Sequence, residues 1–277
     1  MRTLIASLLL AALPACAGTG FVNNDGRVGG DGTSNPSDQF VPGDGSVTPG
    51  PIGTEVVYAH SASELFEVNP DTLQVRSIGL FKWPTLIPDQ MTDIAIDRKG
   101  KMIGISFDRV YRVDPKTAAC TELGQLDRQF NGLSFVASAA NDSAEVLVAS
   151  AQDGSLYRVN PDTGQSVIIG NYGGGLGSSG DIVSVRNFGT VATVTRPGSV
   201  TDWLANINPD TGVATLIGDT GVSDIWGLGF WKNKVYGFTE GRQFVLIDTT
   251  TGAATPSGTS QAPWWGAGVT TVAPVVQ

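Results

Sequence analysis

One short phrase recurs five times along this chain of 277 residues, and no other feature restricts the fold as much. It reads Leu65-Phe-Glu-Val-Asn-Pro-Asp-Thr72, then Val110-Tyr-Arg-Val-Asp-Pro-Lys-Thr117 and Leu156-Tyr-Arg-Val-Asn-Pro-Asp-Thr-Gly164. Leu204-Ala-Asn-Ile-Asn-Pro-Asp-Thr-Gly212 and Phe244-Val-Leu-Ile-Asp-Thr-Thr-Thr-Gly252 complete the set. Counted from Asn69, Asp114, Asn160, Asn208 and Asp248, the intervals are 45, 46, 48 and 40 residues. A period of roughly 40 to 50 residues is that of a four-stranded propeller blade. Each copy alternates at the two-residue period of a strand and then turns. The Asn or Asp can bond to backbone two residues on, Pro presets the next φ, and Gly can take the left-handed conformation that closes a bulged hairpin. A second strand then ends in Ile78-Gly79, Ile169-Gly170 or Ile217-Gly218.

Two further strand candidates precede most copies, for example Asn131 to Val136 and Glu145 to Ala149 before the third. The first copy has only Glu55 to Ala59 ahead of it, whereas a spare strand, Trp265 to Val272, follows the fifth. The shortage and the surplus match if the last strand becomes the innermost strand of the first blade. Such closure removes the exposed edges that a linear stack leaves. The expected fold is therefore all-β: a five-bladed propeller of four-stranded blades over residues 55–277, with a six-bladed ring as its competitor.

The repeats resemble those of secreted bacterial β-propeller lipoproteins whose blades carry a Val-Asn-Pro-Asp-Thr-Gly turn followed by an Ile-Gly strand, and more distantly quinoprotein, NHL and YVTN repeats. The resemblance covers roughly residues 55 to 272. The Trp that ends quinoprotein repeats is missing, so quinone binding is not implied. Families of this kind specify a fold far better than an activity.

Ahead of the repeats, Arg2 and the apolar run Leu4 to Leu13 read as an export signal over residues 1–15. A stretch of ten residues is too short for a permanent membrane span. The run ends in Leu13-Pro14-Ala15-Cys16, which resembles a bacterial lipobox, with Cys16 as the lipidated residue. Ordinary cleavage after Ala15-Cys16-Ala17 is the alternative. Ala17 behind Cys16 resembles lipoproteins sent to an outer membrane. Residues 16–54, rich in Gly, Asp, Ser and Pro, read as a tether with a mean reach of roughly 35 Å. Cys120 is the one other cysteine, so no disulfide is expected.

With 26 acidic against 17 basic residues and no basic cluster, nucleic acid is an unsuitable partner. His60 is the sole histidine; a surface or hairpin role is expected of it, and a histidine-rich metal site is ruled out by count. Aligning the innermost strands puts Asp93, Gly132, Asp181, Gly227 and Gly266 in one tier, just behind Thr92, Asn131, Gly180, Trp226 and Trp265. Asp93, Asn131 and Asp181 could hold a hard cation such as Ca²⁺; equally, the aspartates could bond to strand-end amides. No other cofactor is expected. Trp226, Trp264 and Trp265 stand at neighbouring strand entrances, where they make either a binding face or packing between sheets.

The function expected is non-enzymatic: an envelope-anchored, monomeric binding or scaffolding module facing a protein or glycan and touching the membrane only through Cys16. The alternative is a glycosidase-like or lactonase-like hydrolase using the acidic residues of the channel. Mass spectrometry of membrane-extracted protein is expected to find diacylglycerol on an N-terminal Cys16; an unmodified chain beginning at Gly18 overturns this.

Overall fold

The computed structural model describes residues 56–138 and 141–276, so Cys16, the export signal and the tether lie outside the described residues. The first blade holds β1 (Val57–His60), β2 (Glu64–Val68) and β3 (Val75–Leu80), and the second β4 (Asp93–Ile96), β5 (Met102–Ile105), β6 (Arg109–Val113) and β7 (Cys120–Gln125). The third has β8 (Gly132–Ser138), β9 (Asn141–Ser150), β10 (Ser155–Val159) and β11 (Ser166–Asn171). The fourth has β12 (Gly177–Val185), β13 (Gly189–Thr195), β14 (Trp203–Ile207) and β15 (Ala214–Asp219). The fifth has β16 (Ile225–Trp231), β17 (Lys234–Thr239), β18 (Gln243–Ile247) and β19 (Ala254–Thr259), after which comes β20 (Gly266–Gly268).

These strands make five antiparallel four-stranded sheets, a five-bladed β-propeller. Its ring closes as the repeat count requires, because β20 pairs with β1, setting Tyr58 against Gly268 and His60 against Gly266. Each sheet buries apolar side chains on both faces, so the core lies between blades. Leu65 and Tyr58 of the first blade pack with Ile94, Met102 and Tyr111 of the second, and Ile103 and Val110 pack with Phe135 and Leu147 of the third.

The repeated phrase turns as its chemistry dictates. The side-chain oxygen of Asn69 accepts from the Asp71 and Thr72 amides, and Asp114, Asn208 and Asp248 do the same in their blades. Gly164, Gly212 and Gly252 then take left-handed φ values of 77°, 76° and 79°. Leu73 and Ala118 occupy this position in the first two blades, at φ 57° and 55°.

The two halves of the repeat, turn and Ile-Gly strand, meet each other across blades. A Cβ built on Gly170 or Gly218 would come within 1.9 Å of the Thr211 or Thr251 carbonyl oxygen in the next blade's turn, and on Gly124 within 2.5 Å of that of Thr163. Backbone thus lies on backbone at three junctions, an approach only Gly permits. Where the turn carries Leu73, the facing Gly258 has room: its nearest neighbours are Phe244 at 3.5 Å and Leu73 at 3.7 Å.

The last segment is shorter as a strand than expected, since β20 ends at Gly268 and the chain then crosses the trailing ends of the innermost strands. Thr270 bridges to Ile96 and its hydroxyl donates to the Asp97 carbonyl. The Thr271 carbonyl accepts from the Arg186 amide while its hydroxyl donates to Glu145 of the third blade. Pro274 accepts from the Lys232 amide of the fifth blade. One segment therefore ties the other four blades at that end of the axis.

Gly218→Ala is expected to destabilise the domain by about 2 kcal/mol or more, because Thr251 cannot yield without moving a turn. That corresponds to a melting point lower by roughly 4–8 °C. Gly258→Ala should stay within about 1 °C of wild type, with thermal denaturation as the check.

Candidate functional site

Asp93 begins β4 and Asp181 lies midway along β12, innermost strands of the second and fourth blades, which are not neighbours in the ring. Their carboxyl groups nevertheless lie close enough to act on each other's protonation across the axis. Both side chains are fully buried. Asp93 accepts from its own Ile94 amide at 2.8 Å and from Leu133 of the third blade at 2.6 Å. Asp181 accepts from Ile182 at 2.6 Å and from Leu228 of the fifth blade at 2.6 Å. Each carboxyl is thus a clip from its own blade to the next one. In the third blade Gly132 holds this position, and there the Ser134 hydroxyl takes over, accepting from the Ser184 amide of the fourth at 3.2 Å.

Burial pushes Asp93 well above the usual carboxylate range, and the charge of Asp181 adds to it. Burial likewise raises Asp181, to about 8, against the pull of its amide donors. Two carboxyl groups in contact cannot both ionise cheaply, so the pair holds at least one proton at neutral pH.

His60 completes the cluster; it stands at the β1–β2 hairpin, as one of the two expected roles has it, but its burial departs from the surface role. It is fully buried at the end of β1, with Nδ1 donating to the Ser61 carbonyl at 2.9 Å and Nε2 3.9 Å from Asp93 Oδ1. Burial lowers its pKa to about 4, so the ring is neutral and Nε2 carries a lone pair. Gly266 makes the space: a Cβ there would stand 2.3 Å from His60 Nε2 and 2.6 Å from Asp93 Oδ1. The sequence offered one signal for this, the pairing of β20 with β1, which carries the end of β1 inward.

Asn131, grouped with the aspartates as a cation ligand, donates through its side chain to the Ser178 carbonyl at 3.3 Å. Among the described residues no cluster of three or more His, Cys, Asp or Glu is arranged to hold a metal ion. The three tryptophans separate. Trp264 is wholly buried, edge-on to Phe66 and Phe238 at 5.4 and 5.7 Å and tilted against Phe244 at 5.5 Å, so it fills the core and presents no face. Trp226 and Trp265 are half-buried at the leading ends of their strands and reach solvent. At the opposite ends, a cavity of about 690 Å³ runs past Arg186, Asn187, Asn206 and Asp210. Cys120 is buried, and burial raises its thiol to about 12, which leaves it protonated and unreactive.

Fold and axis together define the class, a closed five-bladed β-propeller with two buried aspartates near its centre. Comparison with known protein families and with curated proteins finds no match to this chain. Comparison with solved structures finds propellers. In a nidogen/laminin complex, one chain superposes with a TM-score of 0.52 at 9% identity, over 77% of this chain and 97% of that one. A Bacteroides thetaiotaomicron protein of unknown function gives 0.47 at 12% identity over 75% and 56%. Regucalcin from Agrobacterium tumefaciens, a calcium-binding protein, gives 0.42 at 15% identity over 70% and 66%. At such identities the likeness is one of fold alone.

The axis sets a pH dependence. Asp181 sits above its unfolded value of 3.8, so its contribution to stability is complete below about pH 4 and is lost as pH rises through about 8. His60 sits below 6.5, so its contribution is present above pH 6.5 and is lost as pH falls through about 4. The two slopes oppose each other between these values, and above pH 6.5 the carboxyl slope stands alone. The melting point is therefore expected to fall from pH 6.5 to 9. Asp181→Asn should melt lower at pH 6.5, since its NH₂ faces an amide donor, but with a flatter decline above; an unchanged slope contradicts the assignment.

Proposed function

We propose that the protein is a non-enzymatic binding module, exported and held at the bacterial outer membrane by a lipid on Cys16, which offers one mouth of its propeller to an envelope protein or glycan. One observation carries this reading: two partly exposed tryptophans, Trp226 in β16 and Trp265 directly before β20, stand at the leading ends of adjacent innermost strands. Indoles suit the task because they bury much area while fixing few torsions, and they stack on sugar rings and apolar side chains alike. The carboxylates beneath spend their lone pairs on the backbone amides of neighbouring blades, which suits joining strands better than hydrolysis. The tether would let this mouth range over roughly 35 Å from the membrane.

Cross-linking in intact cells followed by mass spectrometry is the test. Wild-type protein is expected to capture a defined envelope component, and Trp265→Ala to lose it while keeping its melting point within a few degrees. Capture that survives both Trp265→Ala and Trp226→Ala overturns the reading, as does turnover of a glycoside or lactone panel that vanishes in Asp93→Asn.

A further inference from the structure

The chain has six tryptophans, and four of them have settled partners. Trp83 lies edge-on to Tyr111 at 5.1 Å, Trp203 carries the Arg196 guanidinium 4.3 Å above its ring, Trp231 carries Lys232 Nζ at 5.5 Å, and Trp264 is locked among Phe66, Phe238 and Phe244. Trp226 and Trp265 differ: among the described residues neither indole has a ring partner, a cation or a hydrogen bond. Both are half-buried, so part of each ring stays in water. Trp226 directly precedes Gly227 and Trp265 directly precedes Gly266, and a Cβ on Gly227 would come within 2.7 Å of the Gly266 carbonyl carbon. Backbones that close bring the two tryptophan positions side by side. The register of β16 skips from Ile225 to Gly227, so Trp226 is the extra residue of a bulge with no partner in β17. A bulge re-aims a side chain in this way.

The other three strand entrances supply polar groups without charge: Thr92 ahead of β4, Asn131 ahead of β8, and Ser179 with Gly180 in β12. The amides of Thr92, Asn131 and Trp265 each donate to the end of the second strand of their blade, at Ile105, Ser150 and His60, which sets them at one level. Asn131 spends one amide hydrogen on the Ser178 carbonyl, and its side-chain oxygen has no donor among the described residues. β12 is bulged here too, between Ser178 and Ile182, and the Ser179 hydroxyl in that bulge is buried without a partner. A Cβ on Gly180 would lie 2.1 Å from the Ile225 carbonyl oxygen, so this polar arc runs directly into the strand that carries Trp226.

We propose that this mouth takes an uncharged saccharide, with sugar rings laid on Trp226 and Trp265 and hydroxyls met by Thr92, Asn131 and Ser179. The inference rests on reading the mouth as the binding face, and it narrows the partner offered there to a sugar. A pyranose has C–H faces that pack on an indole and a rim of hydroxyls that both give and accept hydrogen bonds, which is the division this mouth shows. None of the five entrances carries an ionisable side chain, and Asp224, two residues ahead of Trp226, is an exposed carboxylate in a chain of net charge −9. An acidic glycan would meet repulsion there. Two indoles and three small polar side chains match a few sugar rings and fall well short of the ~1,200 Å² that a stable protein partner covers.

Calorimetric titration of the full chain carrying Cys16→Ser with cellohexaose, maltohexaose, mannohexaose and chitohexaose tests the idea. At least one is expected to bind with a dissociation constant of roughly 0.1–1 mM, and an anionic alginate hexasaccharide about tenfold more weakly or not at all. Trp226→Ala and Trp265→Ala should each weaken the bound sugar at least about tenfold with little change in melting point, because both rings are partly in water. Trp203→Ala, whose ring Arg196 already covers, should leave the affinity unchanged. Silence from all four sugars at about 5 mM overturns the proposal, as does equal binding of the alginate fragment, equal loss in Trp203→Ala, or binding that outlasts both mouth substitutions. If the sugars fail while Trp265-dependent cross-linking still captures an envelope protein, the mouth is a binding face and the saccharide alone is wrong; failure of both removes the reading beneath it.

Discussion

Everything in this molecule hangs on the pairing of β20 with β1. Four blades are continuous in sequence, but the first borrows its innermost strand from the far end of the repeats. Without that strand β1 would present a raw edge toward the axis, and the interblade cores flanking it would lose one wall. Trp264 sits where this matters most, just ahead of β20, locked among Phe66 of the first blade and Phe238 and Phe244 of the fifth. Ring closure is thus sealed by aromatic packing and by backbone hydrogen bonds together.

The blades are joined by two kinds of contact at two radii. Outside, the glycine of one Ile-Gly strand lies against the Thr-Gly turn of the next blade, backbone on backbone. Inside, Asp93 and Asp181 reach from their own strands to amides of the next, and meet across the centre. The outer contact is neutral and costs only the freedom of glycine. The inner one carries the expense of buried acid, which a shared proton and four amide donors reduce.

The repeat was readable because its geometry is local: Asn69, Asp114, Asn208 and Asp248 cap their own turns whatever surrounds them. Ring closure was readable as well, since it follows from counting strands. The axial tier could be aligned, but whether Asp93 and Asp181 touch depends on the diameter of the ring, which no stretch of sequence encodes. His60 was misplaced for a related reason: its burial arises only once β20 lies beside β1. Trp264 and Trp265 are adjacent in sequence and opposite in fate, because a single residue's shift in a strand exchanges core for solvent.

The crossing of Val269 to Val276 over the axis has a consequence for the order of events during synthesis. Among the described residues, all five repeat turns and all twenty strands precede the residues that fasten the other four blades at their trailing ends. Until β20 is made the nascent chain is an open arc whose first sheet lacks a member. A stall or a proteolytic cut in that short stretch leaves five sheets formed but not fastened to one another at their trailing ends.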